Sequence, residues 1–221
     1  MHIEEGVVTG ARILLSHATA AAAGAITLKL AWDEVRTQGA ASLALRAGVA
    51  TAAVFVFFQL LPHWPVGVSE VHLILGSTLF LILGAAPAAI GLAAGLLAQG
   101  LFLAPFDLPQ YGMNVTTLLV PLFGLRALAG RIIAPGTPYV DLRYGQALAL
   151  STAYQGGIVA WVAFWAIYGQ GLAGVQGVVS FGGAYMLVVL LEPLVDLALL
   201  AGAKSLRGLR GSAWVTPRLH G

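Results

Sequence analysis

The 221-residue sequence is 59% apolar, and only 9% of its residues are charged. Soluble domains carry about a quarter charged residues, so this composition excludes a water-soluble fold and predicts an all-α polytopic membrane protein. The lack of cysteine excludes disulfides and thiolate metal sites, and a formal charge of +2 gives no indication of nucleic-acid binding.

The chain begins with MHIEEG, which has acids where a secretory signal peptide would have a basic region. We therefore expect the N-terminus, including Met1, to be kept.

Seven apolar segments follow, most of them near the ~20 residues that cross a bilayer. The third is short and is followed almost directly by the fourth, which predicts a tight helical hairpin, with one broken or re-entrant segment as the alternative. The predicted spans are Ala11–Trp32, Ala41–Leu61, Val71–Gly84, Pro87–Pro105, Tyr111–Ile133, Tyr144–Tyr168 and Val178–Ala201.

The basic residues predict the orientation of these spans. If seven helices alternate, every lysine and arginine except Arg12 falls on one side, which the positive-inside rule makes cytoplasmic. We therefore expect a single transmembrane domain over residues 1–221 in the cell membrane, with an extracellular N-terminal segment (1–10) and a basic cytoplasmic tail (202–221). The polar patch Asp33–Gly39 is expected to connect the first two spans.

Small residues recur at every fourth position of the second span, at Ala44, Gly48 and Ala52. Such a small-residue line lets two helix backbones approach closely. We expect it to pack inside the bundle, with an interface to a partner protein as the alternative.

Polar groups on the predicted outer side are concentrated in three stretches, namely residues 1–5, His63–His72 and Asp107–Asn114. Three separate elements that meet at the extracellular face describe a binding site for a ligand that arrives from outside.

His2 has the chemistry of a metal ligand because it directly follows the α-amine of Met1. The amine, the amide nitrogen between residues 1 and 2, and the His2 Nδ1 can close a five-membered and a six-membered ring on one ion. These nitrogens lie nearly in a plane, and a second imidazole would complete a square. A square of nitrogens suits Ni(II), Cu(II) and planar cobalt but not tetrahedral zinc. The alternative is an exposed tail residue.

The other histidines differ in their surroundings. His72 begins the short third span, so it is either a hydrogen-bonded structural residue or a metal ligand. His63, beside Trp64, is predicted to anchor at the membrane interface, and His17, inside the first span, to be a buried and satisfied polar group. Both are less favoured as ligands, and His220 in the tail is assigned no role.

Glu192 and Asp196 lie four residues apart on one face of the seventh span. We expect a salt bridge to Arg46 or Arg126, with ion or proton transport as the alternative. The sequence has no P-loop, G-x-S-x-G or H-E-x-x-H motif. This favours a protein that is not an enzyme, in which case any ATP hydrolysis needed for transport is supplied by another subunit.

The sequence resembles the CbiM/NikM family, the substrate-binding membrane components of energy-coupling factor transporters for cobalt and nickel. The family begins with Met-His-Ile, a variable residue, an acid and glycine, as in Met1–Gly6. PVGVSEVHLILGS places His72 at the family's key histidine, LLAQGLFLAP places Gln99 among leucines, and Gly112–Val115 matches a Gly-x-Asn-Val element that contains Asn114. The likeness runs from residue 1 to about residue 125.

The resemblance implies a bundle similar to the vitamin-binding S-components, with an extra N-terminal helix that delivers the N-terminus to the site. It implies that Met1, His2 and His72 bind Co(II) or Ni(II) as the transported substrate, with no organic cofactor. Gln99 and Asn114 would position the ligands or their loop. The partners would be a transmembrane coupling protein, cytoplasmic ATPases and, in some members, a small accessory membrane protein.

The sequence departs from the family at two acids, Glu4 and Glu70, which we expect to be solvated loop charges.

The first alternative function is an S-component for an organic vitamin, which the few aromatic residues on the outer loops disfavour. The second is a stand-alone ion-coupled transporter that uses Glu192 and Asp196. Cobalt and nickel both remain open as cargo, as do cobalamin synthesis and supply of a nickel enzyme as the pathway.

Overall fold

The computed structural model describes residues 3–61 and 63–205, which form helices joined by short turns and one β-hairpin. The helices are α1 (Ile13–Gln38), α2 (Ala40–Leu60), α3 (Gly76–Leu83), α4 (Ala85–Phe102), α5 (Tyr111–Ile132), α6 (Tyr144–Gln170) and α7 (Val175–Ser205). The strands are β1 (His63–Val66) and β2 (Ser69–His72), which pair antiparallel. Short 3-10 turns occupy Gly10–Arg12, Pro105–Gln110, Tyr139–Asp141 and Gly171–Gly174.

Six of the seven helices are long, and the prediction of an all-α polytopic membrane protein is confirmed. Within the described residues, five segments are long and apolar enough to cross a bilayer. The last of them, Tyr144–Ser205, contains both α6 and α7. The basic tail predicted for residues 202–221 lies largely outside the described residues, since these end at Ser205.

The third predicted span, Val71–Gly84, is not a membrane-crossing helix. Its first residues complete β2, and α3 has only eight residues, or about 12 Å at 1.5 Å per residue, against about 30 Å of hydrocarbon. Gly84, with φ +97°, then separates α3 from α4. The region is therefore a hairpin strand, a half-length helix and a full helix. The sequence did not predict this because an apolar strand and an apolar helix have the same composition.

The polar patch after the first span is helical, not a connecting loop. Helix α1 continues through it to Gln38, and Gly39, with φ +85°, makes the turn into α2. The guanidinium of Arg46 on α2 is bonded to the Glu34 carboxylate and donates to the Gln38 side-chain oxygen at 3.1 Å and to the Leu83 carbonyl oxygen at 2.6 Å. Arg46 thus ties together the ends of α1, α2 and α3.

Helix α2 packs closely on α4, but not through the predicted small-residue line. Ala44, Gly48 and Ala52 are all exposed, and a Cβ added to Gly48 would meet no atom within 4 Å. The close contact is on another face, where a Cβ on Gly91 of α4 would overlap Ala50 of α2. The expected internal packing of this line is therefore wrong, because every face of an apolar helix is permitted in a membrane and composition does not select one.

The β-hairpin lies against α7 at one end of the bundle, called here the hairpin face. Its turn passes over Gly177 so closely that a Cβ on Gly67 would overlap the Gly177 carbonyl oxygen. Gly67 also has a φ of +66°, which a residue with a side chain rarely adopts. These two glycines fix how the hairpin, and the residues that end it, sit on the bundle.

Gly91→Ala should destabilise the protein, because overlap with Ala50 requires α2 and α4 to move apart. Overpacking of this kind costs about 1–3 kcal/mol, which thermal unfolding in detergent should show as a lower midpoint. Gly48→Ala, which has open space around it, should leave the midpoint unchanged or raise it. Equal midpoints for the two variants would contradict the packing described.

Candidate functional site

The N-terminal segment is fixed to the hairpin and to α5 at the third residue of the chain. Ile3 forms an antiparallel bridge with Ser69 of β2, and its N–H donates to Asn114 Oδ1 at 2.8 Å. The next residue, Glu4, donates its N–H to the Val68 carbonyl oxygen at 3.1 Å. The Ile3 side chain is only 2% exposed. Backbone pairing, one side-chain hydrogen bond and apolar burial therefore all hold residue 3 beside β2.

His72, the predicted key histidine, is the last residue of that same strand. It is 3% exposed, and its ring meets Phe58 of α2 edge-on, with 4.8 Å between centroids. A buried ring held by an aromatic neighbour has few rotamers available. The bundle therefore presents this imidazole in one orientation, three residues along β2 from the point where Ile3 docks.

The remaining predicted site residues are undescribed, buried or exposed. Met1 and His2 lie outside the described residues. Gln99 is buried on α4. His63 is exposed, directly across the hairpin from His72. His17 is exposed on α1, so its predicted burial is wrong, because α1 turns the neighbouring Ser16 toward the bundle instead.

Four carboxylates lie on the N-terminal segment or close to it. Glu4 and Glu70 are half-buried and Glu5 is exposed, while Asp107 lies within electrostatic reach of all three. Burial raises the pKa of Glu4 above its usual value, and repulsion from Glu70 and then Glu5 raises it further. Glu4 and Glu70 are thus not simply solvated loop charges as expected. They give the hairpin face a negative potential that favours cations.

The described part of the chain contains no group of three or more His, Asp or Glu side chains placed to hold a metal ion. Of the predicted ligands Met1, His2 and His72, the structure describes the position of His72 alone. The terminal amine, the first amide and the His2 imidazole are backbone or side-chain groups of the undescribed residues.

Glu192 and Asp196 do not form the predicted salt bridges. Arg46 pairs with Glu34, and Arg126 is exposed. Both acids instead accept hydrogen bonds from the chain that follows His72. Sequence reasoning missed this role, although a short apolar segment broken at Leu75-Gly76 was a signal that backbone N–H groups would need buried acceptors.

The comparisons with known proteins agree with a transport role. The family model described as CbiM, cobalt uptake substrate-specific transmembrane region, matches residues 2–208. A crystal structure of a truncated transition metal transporter has a similar fold, with a TM-score of 0.64 and 17% sequence identity. The similarity covers 93% of this chain and 97% of that chain. No curated protein matches the chain.

Gly169→Ala should release the N-terminal segment from the bundle. This segment crosses α6 at Gly169, where a Cβ would overlap the Val7 carbonyl oxygen. Overpacking of about 1–3 kcal/mol would raise the undocked fraction roughly 5- to 150-fold. Cleavage by a glutamyl endopeptidase at Glu4 and Glu5 should accelerate accordingly, because proteolysis follows the population of the open form.

The matched control is Gly156→Ala on the same helix, where a Cβ would meet no atom within 4 Å. This variant should be cleaved at the rate of the unmodified protein. Equal cleavage of both variants would show that the segment does not depend on its crossing at Gly169.

Proposed function

Because the chain belongs to the CbiM family of cobalt uptake substrate-specific transmembrane regions, we propose that it captures Co(II) or Ni(II) at its hairpin face for import. The observation that carries this proposal is the docking of Ile3 on the strand that ends in His72. The cargo ion would be bound by nitrogen donors from the two sides of this pairing.

In the proposed site, the Met1 amine, the amide nitrogen between residues 1 and 2, the His2 Nδ1 and the His72 imidazole surround one ion. Four nitrogens in a plane suit Ni(II) and cobalt in a planar ligand field. Binding requires the amine and amide to lose protons, so affinity should increase with pH. The site takes one side chain from the described bundle and its other three donors from the start of the chain.

The reach of the chain supports this donor set. Two residues precede Ile3, and an extended chain covers about 3.3 Å per residue. His72 lies three residues along β2 from Ser69, the partner of Ile3, or about 10 Å between Cα atoms on the same rise. Two extended residues cover about 7 Å of that interval, so a terminus anchored at residue 3 ends about 3 Å short of the His72 Cα, a gap that an ion shared with the imidazole would bridge.

The surrounding acids support a cation as cargo. Burial and then repulsion between neighbouring carboxylates raise the pKa of Glu4 and of Asp107 at the hairpin face, where Glu70 is the charged neighbour with the largest effect on both. A divalent ion that approaches this face reduces the repulsion, so the local concentration of cations should exceed that in bulk solvent. In this proposal the acids attract the ion to the face, and the nitrogen donors supply affinity and selectivity.

Import would require partners that use ATP. We propose that the protein is the substrate-specific component of an energy-coupling factor transporter, with a transmembrane coupling protein, cytoplasmic ATPases and, in some assemblies, a small accessory membrane protein. The hairpin face and N-terminus would be extracellular, and the basic C-terminal tail cytoplasmic. Stand-alone transport through Glu192 and Asp196 gains no support, since both carboxylates accept hydrogen bonds within the bundle.

Blocking the first amine should abolish metal binding. Four extra glycines before Met1, or acetylation of the amine, turn that nitrogen into an amide and leave no free amine within reach to close the five-membered ring. Titration calorimetry of the detergent-solubilised protein with Ni(II) and Co(II) should then detect no high-affinity site. The control is the same four glycines added after Gly221, which should leave affinity unchanged. Tight binding by the N-terminally extended protein would refute the chelate.

His72→Ala should lower metal affinity roughly a hundredfold or more, since loss of a ligand should cost at least as much as the 10–100-fold loss typical for residues that only orient ligands. His63→Ala is the matched control, because His63 is exposed and faces His72 across the hairpin. It should change affinity less than threefold. Similar losses in both variants would indicate that the hairpin's overall conformation, and not the His72 imidazole, determines binding.

A further inference from the structure

The chain immediately after His72 has an unusual backbone conformation. Residues 73–76, called here the strand–helix turn, connect β2 to α3. Leu75 within it has a φ of +55° and is the only non-glycine residue with positive φ in the described part of the chain. A non-glycine residue in this region is strained and persists only when its surroundings impose the conformation.

Glu192 of α7 supplies what imposes this conformation. Its side chain is fully buried, and its Oε1 accepts the N–H of Leu75 at 2.8 Å and the N–H of Ile74. Its Oε2 accepts the Gln155 side-chain N–H from α6, and the Gln155 Oε1 in turn accepts the Tyr185 hydroxyl at 2.7 Å. One carboxylate therefore connects the strand–helix turn to two long helices.

Asp196 holds the first turn of α3, directly after the strand–helix turn. One helical turn further along α7, its carboxylate accepts the hydroxyls of Ser77, at 2.6 Å, and Thr78. Between the two contacts, Gly76 lies so close to Tyr154 of α6 that a Cβ would overlap its ring. The strand–helix turn is thus clamped from both ends and from one side, which sets where β2 must end.

From these contacts we infer that Glu192 is a positioning residue for metal capture, which fixes His72 through the backbone of Ile74 and Leu75. The inference rests on the proposed function, in which His72 binds the metal. A binding site requires its ligands within about 0.5 Å of the productive position. β2 holds His72 on one side by its pairing, and the two N–H groups bonded to Glu192 hold it on the other, two and three residues later.

An exchange of Glu192 and Gln155 would separate this role from the need for a charge on α7. In Glu192→Gln/Gln155→Glu, the new amide oxygen accepts both backbone N–H groups, and its N–H group donates to the new carboxylate. That carboxylate still accepts the Tyr185 hydroxyl. All four hydrogen bonds are preserved while the charge moves to α6.

The experiment compares Glu192→Ala, the exchange variant and the unmodified protein by titration with Ni(II) and by the visible absorption band of bound Ni(II). Glu192→Ala should lower affinity roughly tenfold or more, the range for partners that orient metal-binding residues, and should shift the band. The exchange variant should recover affinity within about threefold and restore the band. Glu34→Ala, which removes a carboxylate that pairs with Arg46 away from the hairpin face, should leave both measurements unchanged.

Unchanged affinity and spectrum in Glu192→Ala would overturn the inference, as would a folded exchange variant that remains weak. If Glu192→Ala does not fold, the exchange variant and Glu192→Gln decide the question by the same measurements.

A metal-free measurement separates this inference from the proposed function. Hydrogen exchange at Ile74 and Leu75 should accelerate in Glu192→Ala without any metal present. If exchange accelerates but the unmodified protein binds no metal, the proposed function is wrong; if the unmodified protein binds metal and Glu192→Ala binds it equally, the inference is wrong.

Discussion

The pairing of residue 3 with the strand that ends in His72 is the contact on which the rest of the site depends. Ordering a terminal segment costs about 1–2 kcal/mol per residue in backbone entropy. Burial of the Ile3 side chain and its hydrogen bond to Asn114 offset that cost. Three helices of the bundle support this pairing. Helix α5 presents Asn114, α6 leaves room at Gly169, and α7 supports the hairpin.

Irregular backbone inside an apolar bundle explains why Glu192 is buried on α7. Within a bilayer, N–H groups at a strand end or helix start have no water to bond, so each needs an acceptor from the protein. A carboxylate accepts several hydrogen bonds at once, and Glu192 takes three, two of them from the strand–helix turn. The half-length α3 and Glu192 are therefore one structural solution: the chain leaves β2, turns at Leu75 and starts a helix at the depth where Glu192 meets it.

Most of the bundle could be predicted from the sequence, since the length and apolar composition of a segment determine whether it crosses a membrane. The segment 71–84 was predicted wrongly because an apolar strand, turn and short helix have the composition of one apolar span. His17 and the small-residue line were misplaced because composition does not indicate which face of an apolar helix meets its neighbours. The partners of Glu192 were not predicted, since the break at Leu75-Gly76 indicates that backbone N–H groups need acceptors but not which side chain supplies them. His72 and Asn114 were named from short motifs, and the structure brings Asn114 and the strand that ends in His72 together around Ile3, while their roles toward a metal stay predictions.

In the proposed function, docking and metal capture share one segment, which links their free energies. In the proposed mechanism, a metal that joins the terminal nitrogens to His72 also holds Ile3 against β2, and a docked Ile3 keeps those nitrogens at a high effective concentration near the imidazole. Linkage of this kind is reciprocal. A partner protein that moves the hairpin away from the N-terminal segment would weaken metal binding by the same free energy with which the metal strengthens docking. Release could then be driven by movement of the hairpin, without a competing ligand for the ion.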